Sequence, residues 1–188
     1  MNASDDRDMI EILKHDHREV EQMFHQLEGM PGASAEQEKK KLVDQVTIEL
    51  VRHSAVEEMY LYPAARKALS NGDGLADEEI HEHAEAEQLL KDLEGMSLGA
   101  EYDAKLAKLM KAVREHIQEE EQVLFVELAQ TCSPGELKDL GGKITTAKKL
   151  APTRPHPSAP DEPPANMATG PALGLVDKVR DAMSGRGR

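Results

Sequence analysis

A two-helix pattern occurs twice in this chain, and the duplication limits the folds open to it. Asp16-His17-Arg18-Glu19-Val20-Glu21-Gln22, followed by Leu27-Glu28-Gly29-Met30, matches Glu82-His83-Ala84-Glu85-Ala86-Glu87-Gln88, followed by Leu93-Glu94-Gly95-Met96. The stretch from His53 to Tyr62 matches the stretch from His116 to Phe125 in the same way, through His-x-x-x-Glu-Glu. Two copies of one hairpin are expected to pack together as a bundle with pseudo-twofold symmetry. Such symmetry gathers equivalent histidines around a common axis, where one site with two matching halves should form.

The apolar residues carry the helical period. Ile10, Leu13, His17, Val20, Phe24 and Leu27 recur at steps of three and four, and Gly29 and Pro31 end that segment. A second helix is expected from an N-cap at Ser34, with Gln37 three residues on, through Leu42, Val46, Leu50, His53, Glu57 and Tyr60 to about Leu69, kinked near Pro63 and stopped by Asn71-Gly72. Ala76, Ile80, His83, Glu87 and Leu90 mark a third helix, closed by Gly95. Leu106, Leu109, Val113, His116, Glu120 and Val123 mark a fourth, fading near Gln130. Short connections make neighbours antiparallel, so the fold class is all-α: an up-down-up-down antiparallel four-helix bundle. Aromatic residues are 3% of the chain and Trp is absent, so Leu, Ile, Val, Met and Ala must build the core, as suits helices.

Ser133-Pro134-Gly135-Glu136 reads as an N-cap, a first-turn proline and a capping-box acid, opening a short fifth helix to about Leu150. Seven of the ten prolines fall between Pro152 and Pro171, the composition of a disordered linker. Leu173 to Met183 could form a small basic amphipathic helix that docks on the acidic body or on a protein partner; a frayed tail is the simpler expectation. The expected division is thus a bundle over 1–150 and a disordered, Pro-rich tail over 151–188. The net charge is −13, with the body near −16 and residues 148–188 near +3, which argues against nucleic acid as a partner of the body. The opening residues form no signal peptide and no apolar run could span a bilayer, so a cytoplasmic location is expected. Cys132 is the single cysteine, so no internal disulfide can form.

Each of the four helices carries His-x-x-x-Glu: His17/Glu21, His53/Glu57, His83/Glu87 and His116/Glu120. Residues four apart lie on one face, so imidazole and carboxylate can reach the same ion or adjacent ions. One histidine on an apolar stripe is usually a hydrogen-bonded core residue. Four at symmetry-matched positions, each with an acid one turn on, are a site. Burying Glu57 and Glu120 unpaired would cost several kcal/mol each, and a bound cation removes that penalty. With no thiolate available, iron, manganese or zinc fits the imidazole and carboxylate donors. If Glu57 and Glu120 bridge two ions and each ion takes two histidines, open positions remain, which suits iron better than closed tetrahedral zinc.

These residues make the chain similar to the hemerythrin family, specifically bacterial hemerythrin-like (HHE cation-binding) domains, and the order of residues 133–171, ending in Pro152-Thr153-Arg154-Pro155-His156-Pro157, further resembles hemerythrin-like proteins of actinobacteria. The resemblance covers about residues 6–130. It rests on Asp16-His17, on His53-x-x-x-Glu57-Glu58 running into Leu61-Tyr62-Pro63, on Glu82-His83, and on His116-x-x-x-Glu120-Glu121 running into Leu124-Phe125. It implies two non-haem irons with an oxo or hydroxo bridge, His17, His53, His83 and His116 as terminal ligands, and Glu57 and Glu120 as bridging carboxylates. The chain departs from the oxygen-carrying hemerythrins at Glu87, where they have a further histidine, and at His116-x-x-x-Glu120, where they have His-x-x-x-x-Asp. Both changes argue against reversible oxygen carriage. Glu87 either binds iron or supports a ligand through a hydrogen bond; Glu21 is the weaker candidate because Val20 fits its helix stripe better.

Tyr60 and Tyr62 are further candidates, to bind iron or hydrogen-bond an oxygen species, with core packing as the alternative. His15, His25, His81 and His156 are expected in solvent. Glu58, Glu119 and Glu121 read as a solvated acidic face or as supports of the ligands. The expected function is binding, sensing or reduction of a small oxidant (oxygen, nitric oxide or peroxide), with any enzymatic activity a weak oxidoreduction of peroxide or nitric oxide. Iron storage or delivery, and an iron-dependent regulatory binding module, are the competing classes. No nucleophile–base triad or phosphate loop supports a hydrolase or kinase.

Overall fold

The computed structural model describes residues 7–30 and 36–186. All regular structure in them is helical: α1 (Met9–Gly29), α2 (Glu36–Val56), a π-helical segment (Glu57–Leu61), α3 (Tyr62–Ala68), α4 (Gly72–Gly95), α5 (Ala100–Glu119), a second π segment (Glu120–Leu124), α6 (Phe125–Thr131), α7 (Pro134–Ala147) and α8 (Ala165–Ser184). The hairpins α1–α2 and α4–α5 form the antiparallel four-helix bundle, and α7 packs along α1. Both capping boxes close as the residue types demand: Asp8 Oδ1 accepts the Glu11 amide at 2.9 Å, and Glu136 Oε2 accepts the Ser133 amide at 2.9 Å. The expected N-cap Ser34 lies outside the described residues.

The bundle core has two apolar layers. One gathers Val20, Phe24, Val46, Leu50, Leu90, Leu106 and Leu109 towards one end. The other gathers Leu13, Val56, Leu61, Tyr62, Ala76, Leu124, Phe125 and Ile144 towards the opposite end. On each core helix the histidine falls in sequence between the residues of the two layers, so the polar groups occupy a slab with apolar packing above and below. Apolar packing closes the slab on both of these sides, and this sets the energetics of the groups in it.

The second and fourth segments are not the uninterrupted helices that their periodicity suggests. Each switches to π winding at its glutamate, over Glu57–Leu61 and Glu120–Leu124. Pro63 alone cannot be the cause, because the second copy has no proline there and winds in the same way. A π segment inserts one residue into the turn and advances every later side chain by about a third of a revolution. Tyr62 is therefore fully buried, and Tyr60 faces a groove beside α7 and α8.

The tail corrects the expectation of disorder. Residues 151–164 have no long regular element, yet Ala151 and Thr153 are buried, and α8 begins at Ala165, well before the expected Leu173. Asp177 Oδ2 accepts the backbone N–H groups of Thr153 and Arg154, each at 3.1 Å, and the His156 imidazole at 2.9 Å. Asp181 accepts the Thr153 hydroxyl at 2.6 Å and pairs with Arg154 at 2.8 Å. Arg186 then ties the end of the tail to Asp44 at 3.1 Å and Glu94 at 3.0 Å. The helix buries Asn166, Gly170, Gly174, Asp177 and Asp181 and turns Leu175, Val179 and Met183 outward. Hydrophobic patterning missed the docking because polar groups and glycines hold this helix down. A Cβ at Gly174 would lie 2.1 Å from the Leu150 carbonyl oxygen.

The neighbouring pair Gly141 and Gly142 on α7 tests how closely the helices approach. A Cβ at Gly141 would meet the Arg7 carbonyl oxygen at 2.6 Å, whereas one at Gly142 meets nothing within 4 Å. Gly141→Ala should cost about 1–3 kcal/mol by overpacking. Gly142→Ala should gain roughly 0.5–1 kcal/mol by relieving a helix-interior glycine. Urea unfolding of the two variants reads the contrast; equal effects would mean that α7 does not sit so close to α1.

Candidate metal centre

The four repeated histidines converge. His17 Nε2 lies 3.0 Å from His53 Nε2, and His83 Nε2 lies 3.2 Å from His116 Nε2. Glu57 spans the two pairs, with Oε1 2.9 Å from His53 Nε2 and Oε2 3.4 Å from His83 Nε2. Glu120 Oε2 lies 3.3 Å from His17 Nε2 and 3.7 Å from His116 Nε2. Ligand-capable atoms of His17, His53, Glu57 and Glu120 fall within 4.8 Å of one another, as do those of Glu57, His83 and His116. All six residues are buried, and both glutamates are fully so.

The outer nitrogens explain the acidic doublets of the motif. His53 Nδ1 faces Asp16 at 3.4 Å and His116 Nδ1 faces Glu82 at 3.0 Å, so the acid preceding one histidine serves the next. His83 Nδ1 faces Glu58 at 3.2 Å and His17 Nδ1 faces Glu121 at 2.9 Å, so the acid following each central glutamate serves the opposite hairpin. A carboxylate accepts only, which puts the proton of each neutral ring on Nδ1 and leaves the Nε2 lone pair inward. Two pairs of lone pairs then face one another beside carboxylate oxygens. Glu57 Oε1, Glu57 Oε2 and Glu120 Oε2 are buried without a hydrogen-bond partner. Only a cation, a metal ion or a proton, satisfies that arrangement.

Protons show the demand in the metal-free protein. Burial alone would lower the His53 pKa, but Glu57 and Asp16 outweigh it and push it up to about 10. His116 is raised well above its ordinary value by Glu120, Glu79 and Glu82 against burial. Burial acts to raise the Glu57 pKa, yet His53 and His83 hold it well below the usual carboxylate range. Glu79 is a residue that the sequence reading passed over. Its Oε2 lies 2.7 Å from His116 Nδ1, and burial, with help from Glu120 and Glu82, pushes its pKa up to about 7. Its spacing of three from Ala76 and four from His83 was the signal available.

The halves are not identical. Tyr62 donates to Glu120 Oε1 at 3.2 Å and places its oxygen 3.1 Å from His83 Nε2. Its counterpart in the repeat, Phe125, stacks on His17 at 5.7 Å between centroids and 5° between planes. The remaining candidates lie elsewhere. Glu21 pairs with Arg114 at 2.8 Å. Glu87 accepts the His156 amide at 2.7 Å, and Tyr60 packs on the outside of the second apolar layer. His25 and His81 are exposed as expected, His15 is half-buried, and His156 is held by Asp177.

The profile of the hemerythrin HHE cation binding domain matches residues 8–128. An uncharacterized hemerythrin-like protein of Schizosaccharomyces pombe is 31% identical over 170 residues, 89% of this chain and 82% of its own length. A DNA nickase of Nostoc is 26% identical over 149 residues, 78% of this chain but only 41% of that protein. The crystal structure of a hemerythrin HHE cation-binding domain-containing protein from Mycobacterium kansasii superimposes with a TM-score of 0.65 at 23% identity, over 76% of this chain and 86% of that one, which shows a shared fold.

The raised His53 pKa carries a consequence for stability. Its folded value, about 10, lies above the ordinary 6.5, so its stabilisation is complete below pH 6.5 and is lost as pH rises through about 10. Metal-free protein should therefore lose stability over that window, read as a falling urea midpoint. Asp16→Asn should narrow the window by removing one of the two acids that raise His53.

Proposed function

The chain belongs to the hemerythrin HHE cation-binding family, and from that premise we propose that it is a non-haem di-iron protein that binds, senses or reduces a small oxidant: oxygen, nitric oxide or peroxide. One observation carries the metal assignment: four imidazoles, each with Nδ1 against a carboxylate, turn Nε2 toward the buried oxygens of Glu57 and Glu120 that have no hydrogen-bond partner. His17 and His53 would hold one ion and His83 and His116 the other. Glu57 and Glu120 would lie between them, fixing their separation. Imidazole with carboxylate, and no thiolate, suits iron ahead of manganese or zinc. Bound iron supplies one-electron redox chemistry and open positions for a small ligand.

The chain's own residues shape that chemistry. The carboxylates of Asp16, Glu58, Glu82 and Glu121 orient the rings and make them stronger donors, which favours the oxidised metal. Tyr62 brings a hydrogen-bond donor to one half of the centre and Phe125 brings none to the other, so a ligand there meets unequal surroundings. The apolar layers lower the local dielectric above and below the centre and sharpen each electrostatic interaction there. Glu87, Glu21 and Tyr60 lie outside the convergence and are assigned no iron in this reading.

Metal analysis of protein purified from iron-supplemented cells should give about two irons per chain. Glu57→Ala should lose most of that iron, with at least a tenfold fall in affinity. Stopped-flow spectra of the reduced protein with oxygen, nitric oxide and peroxide should show at least one reacting quickly, and Tyr62→Phe should change the rate or the optical band while keeping the iron. Iron-loaded protein inert to all three would overturn the oxidant assignment.

A further inference from the structure

A cavity of about 230 Å³ lies against the four histidines, on the side away from Glu57, Glu120 and Tyr62. Val20, Leu50, Val51, Leu90 and Val113 form its apolar inner wall. The outer wall is not part of the bundle. Residues 152–173 of the tail cross the α2–α4 side and complete it, tied there by Glu87 to the His156 amide. Whatever reaches the centre through this cavity passes the tail.

Apart from the histidines, the charged side chains that line the cavity are all acidic. Glu58 comes from the first π segment, Glu87 from α4 and Asp161 from the tail, and among the described residues no lysine or arginine lines the cavity. Among the tail residues that line the cavity, His156 alone can carry positive charge, and its ring lies on Asp177, 2.9 Å away. Asn166, only 4% exposed, donates through Nδ2 to the Asp161 carbonyl at 2.9 Å. That bond fixes the flip of the amide and leaves Oδ1 buried without a partner, on a residue that lines the cavity. Carboxylates and an amide oxygen accept hydrogen bonds and carry negative charge or its partial equivalent. In a cleft with apolar walls such charge is focused, and it changes association rates by tenfold or more.

We propose that Glu58, Glu87, Asp161 and the Asn166 carbonyl oxygen form a charge-selecting collar, built by the tail, that admits neutral or cationic molecules carrying hydrogen-bond donors and turns anions away. The collar rests on the reading of the histidines as the metal centre. It gives the tail a part in specificity: hydroperoxides and divalent cations pass, while anionic ligands are slowed by the field at the mouth.

Isosteric changes test this in the full chain, with folding checked by circular dichroism, at about pH 8, chosen well above the ordinary carboxylate range because burial raises the Glu58 and Glu87 carboxyls. Asp161→Asn and Glu87→Gln remove charge, and Asn166→Asp adds it. In metal-free protein, cobalt(II) uptake followed by absorbance should slow several-fold in the first two and quicken in the third, with the wild-type rate falling as salt rises. In iron-loaded protein, azide should bind faster in the first two and slower in the third, while neutral nitric oxide binds at one rate in all. Azide and nitric oxide accelerating together would mean a loosened lid and would overturn the collar. Unchanged azide and cobalt rates in all three variants would overturn it as well. A wild-type chain that takes up neither cobalt nor iron would instead remove the metal centre, and the collar with it.

Discussion

Glu57 and Glu120 are fully buried between two apolar layers, and three of their four oxygens have no hydrogen-bond partner. An unpaired carboxylate in such surroundings costs several kcal/mol, and these two face the inner nitrogens of four imidazoles. The chain holds that cost in place by packing Leu13, Val56 and Leu124 on one side and Val20, Leu50 and Val113 on the other. A fold that keeps so unfavourable a slab at its centre is organised around a cation. In its absence protons serve, which is why His53 and His116 hold theirs so tightly.

Duplication supplies the supports as well as the ligands. The acid before His17 serves His53, and the acid before His83 serves His116; the acid after Glu57 serves His83, and the acid after Glu120 serves His17. Each hairpin thus orients rings within itself and across the interface, so neither half of the centre is complete without the other. The π segments complete the arrangement. By adding a residue at each glutamate they turn Tyr62 and Phe125 inward, and the difference between phenol and phenyl makes the halves chemically unequal.

The tail follows a different logic from the bundle. A helix normally docks by its apolar stripe, whereas α8 docks by Asp177, Asp181, Asn166 and two glycines and leaves Leu175 and Met183 in solvent. Its fixed points are directional hydrogen bonds to Thr153, Arg154 and His156. Such contacts specify one placement closely, and here the placement completes the wall of the cavity that lies against the histidines.

Local pattern determined much of this. The 3.6-residue period located the bundle helices, the Ser133–Glu136 box opened α7, and the matched His-x-x-x-Glu spacings placed His17, His53, His83 and His116 on inward faces, because period and spacing are properties of a chain read along its length. Tertiary structure alone decided which acids touch which rings, since Glu121 lies 104 residues from His17 and no local rule pairs them. It also decided that Glu21 and Glu87 turn to Arg114 and His156, and that the proline-rich tail is docked. Those outcomes depend on helix register after a π insertion and on hydrogen bonds between distant segments. Neither leaves a periodic mark in the sequence.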